Sequence, residues 1–123
     1  MPINRSQIKS SPLPKETVHF APLGGEVIVR GLRLAEQMAN ERRTVQERSL
    51  RDGETAEEAL SRANAVMAVR IASQAVIDPD DGEPLMSVAE WEPIAAAHPT
   101  EFFDLAAVAL RLSGSQVADL EKN

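Results

Sequence analysis

The sequence predicts a mainly α (α+β) domain, an N-terminal β-hairpin followed by about four helices in a small bundle. Three observations carry this. Two short runs rich in β-branched and aromatic residues flank a glycine-containing loop near the start. Two Ser/Thr-x-x-Glu capping boxes head later stretches with helical apolar spacing. A final Ala/Leu-rich segment has proline at its start and glycine at its end.

Residues 1–14 are polar and carry Pro2, Pro12 and Pro14, which predicts a flexible N-terminus. The domain is expected over 15–114, with 115–123 as a short C-terminal tail. The runs Glu16–Phe20 and Glu26–Arg30 read as strands joined by the five residues Ala21–Gly25. Alternation places Val18 and Phe20 on one face, and Val27 with Val29 on one face of the partner strand. A hairpin alone is marginal in water, so this one needs a helix or another subunit to pack against. A helix follows near 32–50, with apolar positions at Leu34/Ala35, Met38 and Val45. From Asn40 to Gly53 the chain is rich in arginine, diluted by Glu41, Glu47 and Asp52; it reads as a solvated helix end rather than a nucleic-acid patch.

Thr55 and Glu58 form the first capping box. Ala59, Leu60, Ala63, Val66, Met67, Arg70, Ile71 and Ala75 then recur at helical spacing, predicting a helix over 55–77. The run Asp78-Pro79-Asp80-Asp81-Gly82-Glu83-Pro84 is the strongest break in the chain. Beyond it, Ser87 and Glu90 make the second box, with Met86 and Trp91 placed as a hydrophobic staple, for a helix near 87–97. Pro93 predicts a kink or restart within it. Pro99 suits the first turn of a last helix, near 99–113, ending at Gly114.

Composition narrows the function. The net charge of −6 opposes a nucleic-acid binder held by phosphate contacts. Cysteine is absent, which excludes disulfides, thiolate zinc sites and cysteine nucleophiles. The charge is uneven: Met1–Ile77 carries 11 basic and 9 acidic residues, whereas Asp78–Asn123 carries 2 and 10, net −8. The apolar share is 43 %, but 18 residues are alanine and only four are Phe or Trp, so the core is thin. Neither half holds enough large apolar residues to fold alone, and the two read as parts of one subunit. No run approaches the roughly 20 apolar residues of a membrane span. The first residues lack the apolar stretch of a signal peptide, and the chain reads as soluble and cytoplasmic.

Little in the chain suggests catalysis, and it reads as a non-enzyme with no cofactor and no metal. The Asp78–Glu83 run has glycine in fifth rather than sixth place and Ala89 where a calcium loop needs its bidentate glutamate, so it reads as a turn. His19 and His98 stand in no catalytic spacing. Gly24-Gly25 lacks a phosphate-loop context. The informative stretch is Glu101–Leu112, interrupted only by Asp104 and Arg111, which share one stripe. A helix apolar nearly all round is either wrapped by its own chain or offers a surface to a partner or to another copy.

The order of hairpin, helix, and a helix running into the acidic turn Asp78–Ser87 (D-x-D-D-G-x-P-L), then a proline-bounded element from Trp91 to Pro99 and a terminal Leu112-Ser113-Gly114, resembles the tail assembly chaperones of long-tailed bacteriophages and prophages. The resemblance covers about residues 16–114. It implies a non-enzymatic protein of the host cytoplasm that is missing from the mature virion. It implies binding to the tape measure protein, a long helical and aggregation-prone chain, until tail tube subunits polymerise around it. Many members of this family also occur as a longer, frameshifted form; Ser115–Asn123 would fit an unshifted end, and equally any frayed C-terminus. On size and placement, Trp91, Phe102, Phe103 and Leu110 are the candidate apolar contacts, to the client or between copies. The competing readings are a structural tail-completion or connector subunit, and a small acidic host adaptor.

Overall fold

The structure is a computed structural model and describes Pro2 and residues 13–114. The flexible start and the short tail expected from the sequence lie outside the described residues, apart from Pro2, Leu13 and Pro14.

The expected hairpin is present. Strand β1 (Lys15–Phe20) runs antiparallel to β2 (Gly25–Arg30), in register from Lys15 opposite Arg30 to Phe20 opposite Gly25. The loop is one residue shorter than expected, because Gly25 joins the strand. Ala21–Leu23 make a single 3-10 turn, and Gly24, at φ 72°, closes it by donating its N–H to Ala21 O at 2.9 Å. Alternation holds: Phe20, Val27 and Val29 are buried, and Val18 packs against them.

Helix α1 (Leu34–Glu47) is shorter than the 32–50 expected, and the opposite face is buried. Leu34, Met38 and Val45 are 72 %, 49 % and 66 % exposed, while Asn40 is buried. The reason is a polar bridge to the next helix. Asn40 Nδ2 donates to Gln74 Oε1 at 2.8 Å, and Arg70 Nε donates to Asn40 Oδ1 at 2.7 Å. Burying a polar group without partners costs more than leaving an apolar one in water, so these bonds decide which face turns inward.

Helix α2 (Ala56–Ala75) starts at the expected capping box, with Glu58 N–H donating to Thr55 Oγ1 and Thr55 N–H to Glu58 Oε1. Leu60, counted in its apolar pattern, is instead exposed. The helix was expected to reach Ile77. Instead Val76 is extended, and Val76–Ile77 form a third strand, β3, antiparallel to Val29 and Ile28. Two β-branched residues at the helix end meet the open edge of β2, and ladder hydrogen bonds there replace helical ones. The sheet order is β1-β2-β3.

The acidic run is a turn, as read. Asp78 and Asp81 carboxylates accept the N–H groups of Asp80 and Glu83 at 2.8 and 2.9 Å, Gly82 takes φ 73°, and Leu85 N–H returns to Val76 O. Helix α3 (Val88–Ala97) opens at the Ser87/Glu90 box and does not restart at Pro93. Pro93 and Ala89, whose carbonyl loses its donor, are both exposed, so water can serve that carbonyl. His98 caps both α3 and α4 (Pro99–Leu112), with Pro99 in the first turn. Gly114 at φ 81° follows the end of α4.

One core spans both halves of the charge map. Trp91 is fully buried, edge-on to Phe20 with ring centroids 5.9 Å apart and tilted against Phe102 at 5.7 Å. It thereby joins sheet, α3 and α4. Much of the remaining core is alanine (Ala68, Ala72, Ala75, Ala106, Ala109), whose small side chains suit close packing of α2 and α4.

Candidate interaction surface

Helix α4 carries the candidate contacts, and its geometry divides them. Phe102, Leu105, Ala106 and Ala109 form its buried stripe. Phe103 lies one residue, about 100°, further round and is 44 % exposed. Of the four residues singled out by size, Trp91 and Phe102 are 0 % and 1 % exposed and are filled with intramolecular contacts. Phe103 and Leu110 reach the surface.

Phe103 stands on a ridge between two open grooves. The larger, of about 740 Å³, lies between α1 and α4 over α2, and includes Leu34, Met38, Met67, Ile71, Phe103 and Leu110. Polar groups of α1 and its C-cap border it, among them Glu41 and Arg48. The smaller, of about 420 Å³, lies among α2, α3 and α4. Ala65, Val66 and Val69 form one wall, Val88, Glu92, Ala95 and Ala96 another, and Pro99, Phe102 and Phe103 the third. Leu34 and Met38 belong to this surface although their spacing suggested a core stripe. An i, i+4 apolar pair states that a face will be covered without saying by what.

The electrostatics differ from side to side. Around α1 and α2 several charges are drawn into ion pairs. Arg30, itself buried, donates two bonds to the Glu36 carboxylate, both at 2.8 Å, and one to Gly31 O. That guanidinium holds the Glu36 carboxyl below its ordinary range. Arg62 bridges Glu54 at 2.8 Å and Glu47 at 3.2 Å, and Arg43 holds Glu47 from the other side. Hydrogen bonds from Arg62, with a smaller contribution from the Arg51 N–H, bring Glu54 down to about 2. On α3 and α4, by contrast, Glu92, Glu101 and Asp104 are exposed and make no ion pair among the described residues.

Among the described residues neither histidine side chain makes a hydrogen bond or ion pair: His19 is exposed on β1, and His98 is a helix cap. Among the described residues no group of three or more His, Asp or Glu is placed to hold a metal, and no helix is long and apolar enough to cross a membrane.

No family model and no curated protein matches the chain. Among solved structures, it is similar to the tail assembly chaperone of bacteriophage HK97. The two are 20 % identical, with a TM-score of 0.57 over 81 % of this chain and 85 % of that one. At that identity, what the two share is the fold: an α+β domain whose hairpin precedes its helices here.

Proposed function

We propose that this chain is a tail assembly chaperone of a long-tailed phage or prophage. It binds the tape measure protein in the host cytoplasm and keeps it soluble until the tail tube polymerises, acting by binding and not by catalysis. The observation that carries this reading is the fold shared with the HK97 tail assembly chaperone across most of both chains. The exposed Phe103 between two apolar grooves supports it, because a holder of amphipathic helices needs an apolar surface. Self-association and a frameshifted longer form belong to the same proposal.

The test is co-expression with the tape measure protein of the same phage. The client should move from the pellet to the soluble fraction and co-purify with this chain, and a folded Phe103→Asp/Leu110→Asp variant should lose it. Purified virions should lack the chain. An insoluble client in its presence, or its recovery as a virion component, would overturn the reading, the latter in favour of a connector subunit.

A further inference from the structure

We propose that the segment Ser115–Asn123 folds back from Gly114 into the larger groove, between α1 and α4, and must leave it before a client helix can enter. The proposal deepens the chaperone reading and rests on it for the groove being a client site.

The groove and the chain's exit from α4 meet at one point. Leu32 and Gln37 both line the groove. Leu32 N–H donates to Ser113 Oγ at 2.7 Å, and Gln37 Nε2 donates to Ser113 O at 3.5 Å. The next residue, Gly114, takes φ 81°, which turns the chain off the axis of α4. The chain beyond it therefore starts at the mouth of the groove, and only Gly114, Ser115 and Gln116 separate Ser113 from Val117.

Length and pattern fit the space. Val117 and Leu120 stand at i, i+3 spacing, which a helical turn places on one face. The nine residues Ser115–Asn123 make about 13 Å of helix, and the α4 wall from Phe103 to Leu110 is about 10 Å long. The groove's walls are helical, with their backbone groups already committed, so an occupant must bring its own backbone bonds, as helical turns do. Nine residues form helix poorly alone in water, so these turns would form on docking.

Tethering favours this segment over any other apolar occupant. Leu34, Met38 and Phe103 leave apolar surface open along the groove, and covering it is favourable for whatever apolar face arrives. A short link holds its segment at a roughly millimolar effective concentration, which a second copy or a free peptide at micromolar concentration does not match. A client must then displace the segment, and its apparent affinity falls by the fraction of time the groove is open.

The chain has no cysteine, so one introduced thiol reports on one place. Met38→Cys puts it on the larger groove and Val88→Cys on the smaller. Reaction with N-ethylmaleimide is timed in the full chain, with and without Val117→Asp and Leu120→Asp together. These two substitutions should speed the Met38→Cys reaction about tenfold and leave Val88→Cys unchanged. The protection should be independent of protein concentration, because the covering segment belongs to the same molecule. Equal Met38→Cys rates in variants with native circular dichroism overturn the proposal. Protection that grows with concentration does so too, in favour of a second copy in the groove. Without either cysteine, Val117→Asp with Leu120→Asp should raise the tape measure protein recovered per chain several-fold, and unchanged recovery overturns the displacement step. The two readings fail separately. Thiol protection with a client insoluble beside both chains sinks the chaperone reading and leaves the covered groove standing, whereas a soluble client without protection does the reverse.

Discussion

The Leu32 backbone N–H donates to the Ser113 hydroxyl at 2.7 Å, and that hydroxyl donates onward to Ala109 O at 2.6 Å. Residues 81 positions apart thus tie the end of α4 to the junction between β2 and α1. One residue earlier, Gly31 lies so close to the same helix end that a Cβ would meet Leu112 O at 2.7 Å. The latch fixes α4 against α1, and so sets one side of the larger groove.

Breaking the latch should therefore be costly for so small a change. Ser113→Ala leaves the N–H of buried Leu32 without a partner and should cost about 1–3 kcal/mol. Gly31→Ala should cost a similar amount by overpacking, about 1–3 kcal/mol. Urea denaturation midpoints measure both, and Ser113→Thr, which keeps the hydroxyl, should recover most of the loss. The double variant should fall short of the sum, since both act on one contact.

The buried guanidinium of Arg30 makes a second prediction. Glu36→Leu strands a cation that is 7 % exposed in its side chain and should cost about 3 kcal/mol. Arg30→Met with Glu36→Leu removes both charges and should be clearly less harmful than Glu36→Leu alone. A double variant as unstable as the single one would show that the pair's hydrogen bonds to Gly31 and Arg33, not its charges, matter most.

Acid should weaken the fold through the same kind of group. Glu36 and Glu54 are both held below their ordinary value of 4.5, Glu54 at about 2. The folded state therefore binds fewer protons than the unfolded state just below pH 4.5. Their stabilisation is full above that pH and is withdrawn as pH falls toward 2. Thermal melts from pH 6 to 2 should show this decline, and Glu54→Gln with Glu36→Gln should flatten it.

Adjacent phenylalanines should behave as different kinds of residue. Phe102→Ala empties a site packed on Trp91 and should cost about 3–5 kcal/mol, lowering the melting temperature steeply. Phe103→Ala removes a ring that is 44 % exposed and should cost much less, about 1 kcal/mol, while weakening client recovery. Calorimetry and co-purification on the same two variants separate the roles.

Much of this fold is legible along the chain because its signals are local. Thr55/Glu58 and Ser87/Glu90 satisfy orphan N–H groups within four residues, so they mark helix starts whatever packs nearby. The acidic turn is closed by its own aspartates, and Gly24 ends the hairpin loop through its positive φ. The candidate surface is less legible. Leu34 and Met38 have the spacing of a core stripe, yet they face outward because Asn40 finds Arg70 and Gln74 on the other side of α1. Trp91 and Phe102 have the size of binding anchors, yet they fill the core.

By itself, then, the sequence determines the α+β class, the hairpin, the order of four helices and the acidic second half, all of which depend on neighbours a few residues away. Tertiary structure alone decides that Val76 and Ile77 leave the helix for the edge of β2. It also decides that Phe102 turns inward while Phe103 stays out, and that Ser113 reaches back to Leu32. Each of these depends on a hydrogen-bond donor, a strand edge or an apolar wall supplied from far along the chain, and no local pattern carries that information.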